Sequence, residues 1–333
     1  MTREQQHNTS PPICWALSEG HVGMEVQAIG LARALGVEPV VKRVAIRRPW
    51  RWIPPRFLPF ALSGVGPEGN SLLPPWPDVL ITCGRQVVAP AVEIRRRSKG
   101  RTFAIHIQDP KVPFSRFDVI VAPEHDRLSG ANVITGIGGV NQITPERLAR
   151  AAQDFAPLYA DLPRPLIGVM IGGSNRVYRM TGAVIGQLAA QLAALSRQTG
   201  AGLAITPSRR TGAENEATLH KALEGLPAKI WDGESANPYF GILALADAFV
   251  VTSDSVNMVS EAASTGKPVH VVELEGGSAK FNRFHDSLRQ AGITRRFEGQ
   301  LEKWDYPALN ETARIADEIL QRMPAALRGR LLP

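Results

Sequence analysis

Residues 248–273, AFVVTSDSVNMVSEAASTGKPVHVVE, decide the fold. Phe249, Val250 and Val251 form an apolar, β-type run that breaks at Thr252-Ser253-Asp254-Ser255. A helical segment follows to Ala263, a turn at Thr265-Gly266-Lys267-Pro268, and β-type residues again from Val269 to Val272. Strand, polar turn, helix, Gly-Pro turn and strand make one βαβ unit. Asp254 or Ser255 has the chemistry of an N-cap, and the N–H groups of the first turn can then hold an anion. Glu261 lies about two turns further on, where a carboxylate can take two hydrogen bonds from a ribose diol whose phosphates sit nearer the helix start. The same spacing also suits an ordinary capped helix with Glu261 as a solvated charge.

Upstream, the same alternation repeats. Ile13–Leu17 is a β run ending at Ser18-Glu19-Gly20-His21-Val22-Gly23, and a helical period carries on to Leu35 with Gly36 as its stop. Pro39–Ile46 reads as a strand, Asp78–Cys83 as a strand closed by Gly84 and Arg85, and Thr102–Ile107 as another. Phe117–Ala122 leads into Pro123-Glu124-His125-Asp126, and Asn132–Thr135 is a last short strand. His125 and Asp126 have the residue types of a base and its orienting partner, but neighbours on an extended segment point to opposite faces. Thr144-Pro145-Glu146 opens a helix to about Tyr159, and Asp161–Pro165 reads as a linker. Leu166–Ile171 runs straight into Gly172-Gly173-Ser174-Asn175, a glycine turn where a backbone can approach a pyrophosphate. After the strand Gly202–Ile205 comes Ser208-Arg209-Arg210-Thr211, whose paired arginines suit a diphosphate. Neither G-x-G-x-x-G nor a Walker lysine is present, which argues against NAD and P-loop chemistry.

With 333 residues the chain suits two domains, 1–160 and 161–333, and the helix near Pro307–Arg322 is a candidate to pack back on the first. The net charge is +7, and it is uneven: residues 1–160 hold 19 Lys+Arg against 13 Asp+Glu, the rest 19 against 18. The excess is densest from Lys42 to Phe57, where Trp50 and Trp52 lie among Lys42, Arg43, Arg47, Arg48, Arg51 and Arg56. No nucleic-acid motif accompanies it, and Trp among Arg suits an anionic membrane surface; a plain solvated loop is the alternative reading. The polar N-terminal residues lack a signal-peptide pattern, and Cys14 and Cys83 fall in β runs as expected of buried free thiols. A cytoplasmic protein, peripheral on the inner face of the membrane, is the expectation. No metal-ligand cluster stands out.

Thr252–Ala262 and Thr265–Val269 resemble the signature of the mitochondrial-fission ELM-type family, whose bacterial members are grouped with glycosyltransferases. The turn Gly84-Arg85, the run Pro123–Asp126 and Ser208–Thr211 are similar to further elements of that family. Gly23-Met24-Glu25-Val26-Gln27 resembles its Gly-His-Glu-Asn-Gln run, with Met24 and Val26 replacing His and Asn. More distantly, the βαβ unit is similar to the donor motif of GT-B transferases such as the lipid II enzyme. The resemblance implies two doubly wound, Rossmann-like α/β domains facing a cleft in the GT-B arrangement. It implies a donor site of Gly172, Gly173, Ser174, Ser208, Arg209, Arg210, Ser253, Asp254, Ser255, Asn257, Met258, Glu261 and Asn282. Gly23, Gln27, Gly84, Arg85 and His125 then face the cleft, and His21, Glu25 and Asp126 are candidate bases. The expected activity is metal-independent and cofactor-free transfer of a sugar from a nucleotide diphosphate to an envelope glycan or lipid-linked acceptor. Two rivals stand beside it. Plant members recruit a dynamin-like protein to the outer mitochondrial membrane, which implies a non-catalytic nucleotide-binding adaptor; a nucleotide-sugar epimerase also fits two such domains.

Overall fold

The computed structural model describes residues 10–48, 52–54, 57, 62, 65–66 and 68–332. In chain order the elements begin β1 (Cys14–Ser18), α1 (Val22–Ala34), β2 (Val40–Arg43), β3 (Val79–Cys83), α2 (Val88–Arg97), β4 (Phe103–Ile107), β5 (Val119–Pro123) and β6 (Val133–Gly136). They continue α3 (Pro145–Tyr159), β7 (Leu166–Ile171), β8 (Tyr178–Arg179), α4 (Gly182–Thr199), β9 (Gly202–Pro207), α5 (Ala213–Ala222), β10 (Ala228–Ile230) and α6 (Tyr239–Leu245). The chain closes with β11 (Ala248–Thr252), α7 (Val256–Ala263), β12 (Val269–Val272), β13 (Glu275–Gly276), α8 (Ala279–Gln290), β14 (Thr294–Arg296), α9 (Glu311–Arg322) and α10 (Ala325–Leu331).

Two compact units result. The first holds residues 1–136, 140–142 and 311–333; the second holds 137–139 and 143–310. Each is built on a parallel six-stranded sheet, ordered β2-β1-β3-β4-β5-β6 in the first and β10-β9-β7-β11-β12-β14 in the second. Strand residues alternate between the two faces, so each fully apolar run feeds two cores. In β1, Cys14 and Ala16 join one buried cluster while Trp15 and Leu17 join the other. In β7, Ile167, Val169 and Ile171 face one side, Leu166 and Met170 the other.

The division does not fall at 160/161. The helix α3 and the segment after it belong to the second unit, because their side chains are anchored there. The Arg147 guanidinium lies 3.7 Å from the Phe240 ring centre, and Tyr159 is buried in the core that contains Leu166 and Phe249. Asp161–Pro165 is no free linker: Lys229 bonds Asp161, and Gly202 N donates to Pro163 O at 3.2 Å. The helix α9 belongs to the first unit, where Ile315, Ile319 and Leu320 share a core with Leu31 and Ile105. Burying such aliphatic side chains stabilises by roughly 1.5–3 kcal/mol each.

Each sheet reverses its winding once. The reversal lies between β1 and β3 in the first unit and between β7 and β11 in the second. Doubly wound sheets bind ligands in the crevice at this point, outside the carboxyl ends of the strands. His125 and Asp126 prove to sit on a 3-10 turn, Glu124–Asp126, rather than an extended segment. The turn brings His125 Nε2 to 3.7 Å from Asp126 Oδ1 with both side chains nearly buried.

Candidate functional site

At the second reversal three turns meet. Thr252 Oγ1, at the end of β11, accepts the Gly172 N–H at 2.8 Å and donates to Asp254 Oδ1 at 2.7 Å. Asp254 Oδ2 accepts the Gly173 N–H at 3.0 Å and pairs with Arg210 Nη2 at 2.8 Å. The Gly172 carbonyl accepts from Ser208 Oγ at 2.9 Å and Thr211 Oγ1 at 2.6 Å. The turns after β7, β9 and β11 are thereby locked into one piece. Their glycines are required by this closure: a Cβ on Gly172 would lie 2.2 Å from the Asp254 carboxylate, and one on Gly173 would lie 2.0 Å from the Arg210 carbonyl.

This corrects two expectations. The Gly172 and Gly173 N–H groups do not await a pyrophosphate, because Thr252 and Asp254 already hold them. Asp254 does not face a ligand either; its side chain has no exposure, and its carboxylate is the clasp of the three turns. What remains open is Arg209, exposed and without an ion-pair partner among the described residues, and the start of α7. Ser255 caps that helix, accepting Met258 N at 3.3 Å. Asn257 is half-buried, and Met258 packs its side chain partly into the core. Ser174 Oγ accepts Met180 N at 3.0 Å, which ties the glycine turn to the small β8–β13 ribbon. Ser253 and Asn282 line one cavity of about 290 Å³ with Tyr178, His285 and Arg289. A groove of about 750 Å³ along β10 includes none of these turn residues.

Glu261 is neither solvated nor aligned for a ligand alone. It is 6% exposed, and the Tyr239 hydroxyl donates to its Oε2. Burial pushes its carboxyl up to about 7, against the opposing pull of the Tyr239 bond and the Arg147 charge. Tyr239 and Arg147 were not found from sequence. The only signal was the Asn237-Pro238-Tyr239 turn before a short helix, which names no partner.

At the first reversal the turns after β1 and β3 are joined by Glu19, which sequence reading also passed over. Its Oε1 accepts Gln86 N at 2.6 Å and its Oε2 accepts Gln86 Nε2 at 3.0 Å. Gly84 has φ +112°, and a Cβ there would meet Glu19 Oε1 at 2.8 Å and Met24 Sδ at 2.9 Å. Arg85 is exposed, Gly23 lies in the first turn of α1, and Gln27 is buried, accepting from Cys83 Sγ at 3.6 Å. Glu25 is removed from the base candidates. Its oxygens take Arg43 Nε at 2.7 Å, Arg43 Nη2 at 3.1 Å and Ser18 Oγ at 2.9 Å, and the arginine holds its carboxyl below the usual range. His21 is exposed at the N-cap of α1 and makes no capping hydrogen bond. Cys14 and Cys83 are buried free thiols, both pushed up to about 12 by burial.

Among the described residues no group of His, Cys, Asp and Glu is arranged to hold a metal, and no helix is long and apolar enough to cross a membrane. Arg47 and Arg48 are exposed, and Arg48 lies 5.8 Å from the ring of Trp52, itself 69% exposed. Trp50, Arg51 and Arg56 lie outside the described residues.

The architecture has counterparts of known structure. A UDP-GlcNAc 2-epimerase from Methanocaldococcus jannaschii superposes with a TM-score of 0.51 at 9% identity, covering 93% of this chain and 100% of that one. A UDP-glucosyltransferase from Polygonum tinctorium gives 0.50 at 11% identity, covering 97% and 92%. The fold is therefore the two-unit α/β fold of GT-B proteins. By sequence, the mitochondrial fission protein ELM1 of Arabidopsis thaliana is 35% identical over 276 residues, 75% of this chain. The chain spans 64% of that plant protein's length. The profile of the family described as mitochondrial fission ELM1 matches residues 22–323. With nearly the whole chain inside that match, this protein belongs to the mitochondrial fission ELM1 family.

Proposed function

We propose that the second unit binds a nucleotide-diphosphate sugar and that the protein transfers the sugar to an acceptor hydroxyl. The observation that carries this reading is the clasp at the β7/β11 reversal. Three turns are fixed rigidly there while the Arg209 guanidinium and the capped start of α7 are left open for a diphosphate. In this reading Glu261 takes the ribose and Asn282 the sugar, and Ser253 and Ser255 serve as structural supports. No metal is required, because cationic and backbone groups stabilise the leaving diphosphate. His21 is the base for the acceptor, with Asp126 next. The exposed Arg47, Arg48 and Trp52 favour a lipid-linked envelope acceptor at an anionic membrane surface.

A second reading is a nucleotide-binding adaptor without catalysis. The ion pair that removes Glu25 as a base, together with Met24 and Val26 in the same turn, favours it. The test is a thermal-shift screen of nucleotides and nucleotide sugars, followed by a turnover assay with envelope glycans and lipid-linked acceptors. Stabilisation by a nucleotide sugar with transfer to one acceptor supports the transferase. Stabilisation without transfer or epimerisation moves the protein to the adaptor reading, and epimerisation without acceptor moves it to the epimerase. No stabilisation by any nucleotide removes the donor site.

A further inference from the structure

Glu261 has two oxygens in unlike situations. Oε2 holds the Tyr239 hydroxyl, whereas Oε1 receives no hydrogen bond from any described residue. Tyr239 is itself fixed: its N–H is accepted by Asn237 Oδ1 at 2.9 Å, and its ring packs edge-on against Phe240 at 5.7 Å. Arg147 from α3 stacks on that same Phe240 ring and brings its charge to bear on the Glu261 carboxylate. The charged and titratable groups around Glu261 are therefore the Tyr239 phenol from α6 and the Arg147 guanidinium from α3. The sheet beneath contributes Phe249 and Val251 of β11 and Val269 and Val271 of β12, all apolar. Tyr306 is turned away, its hydroxyl engaged by the carbonyl oxygens of Ala263 and Lys267.

We propose that Tyr239 is the positioning residue of the donor site, holding one oxygen of Glu261 so that the other is presented, ionised, to the ribose diol. The inference rests on the nucleotide-sugar reading above and adds how that site is set. A carboxylate fixed through one oxygen loses little rotamer freedom when a ligand arrives, so the bond to the diol is preorganised. The ionised carboxylate accepts from the ribose hydroxyls through charge-assisted bonds, roughly twice as strong as those the neutral acid can make. Because burial raises this carboxyl to about 7, donor affinity is coupled to pH near neutrality. The ligand selects the ionised form, so affinity rises with pH and levels off above the titration midpoint. Removing the phenolic hydroxyl takes away a bond that favours ionisation, and the midpoint moves up.

The test uses the full chain and UDP-N-acetylglucosamine, whose diphosphate stays fully ionised across the range, in calorimetric titrations at several pH values. For the wild type, affinity should fall about tenfold per pH unit below the midpoint. Tyr239→Phe should move that midpoint up by about one pH unit and weaken plateau affinity roughly three- to tenfold. Glu261→Gln should bind weakly with no pH dependence, and circular dichroism should show both variants folded. A Tyr239→Phe profile that overlays the wild type overturns the inference, since a purely structural tyrosine leaves the midpoint in place. A flat wild-type profile with tight binding overturns it too, while the donor reading survives. If the wild type does not bind at all, both fall together.

Discussion

The two chain reversals solve the same problem with different materials. Each must hold two strand-end turns together at the mouth of a parallel sheet, and each uses one carboxylate for it. In the first unit Glu19 reaches from the β1 turn to Gln86 through side-chain tips, and Gly84 makes room for the ends of Glu19 and Met24. In the second unit Asp254 is wholly enclosed, and the glycine turn presses on the Arg210 backbone itself. Tips yield by a few tenths of an ångström; a backbone carbonyl does not. The second reversal is therefore a fixed template and the first an adjustable one.

The contrast between the two reversals is largest at the glycines. Gly173→Ala should cost more than about 4 kcal/mol or prevent folding of the second unit, whereas Gly84→Ala, strained in φ but facing movable atoms, should cost about 2 kcal/mol. Urea unfolding of both variants decides it, and equal costs would erase the contrast. Next come the carboxylates. Asp254→Asn should cost about 3 kcal/mol by unbalancing a buried clasp, and Glu19→Gln about 1 kcal/mol; the reverse order in the same assay would refute the template.

Titration separates the units as well. The Glu261 carboxyl is raised from the ordinary 4.5 to about 7, so the folded state binds the extra proton and stability falls as pH rises through that window. The loss should be on the order of 3 kcal/mol, and Glu261→Gln should flatten it. Glu25 has the opposite sign: its carboxyl is lowered, so its contribution is present above 4.5 and is lost as pH falls through its depressed folded value. Denaturation curves collected across this range should show both limbs, and a wild type whose stability climbs from 4.5 to 7 would contradict the Glu261 assignment. The smallest effect belongs to Arg43→Ala. Its side chain is 66% exposed, so solvent screens the pair and the loss should be too small to resolve in the urea assay; a loss as large as that of Asp254→Asn would make the first reversal as rigid as the second.

The βαβ unit around Ser255 was readable because each part has a local cause: an apolar run of strand length, a serine cap, a Gly-Pro stop. The turns after β7, β9 and β11 were readable by residue type for the same reason. Their internal partners were not. Asp254 meets Gly173 across 81 residues and Tyr239 meets Glu261 across 22, and such pairs are set by strand order rather than by spacing. The ribbon β8–β13 and the strand β14 are two or three residues long, too short to show a period. The domain boundary was misplaced because the prolines at 163 and 165 interrupt helices whether or not the segment is free. The apolar face of α3 does not announce which sheet it covers.

The helices α9 and α10 carry a consequence for the order of assembly. They supply Ile315, Ile319, Met323 and Leu331 to the core around Leu31, and Arg330 grips Asp78 at 2.9 Å at the start of β3. The sheet encoded first is therefore sealed last. On a ribosome adding roughly 5–20 residues per second, the whole second unit emerges while the first still exposes an apolar face, for an interval on the order of ten seconds. The unit translated second is therefore the one that can finish folding first.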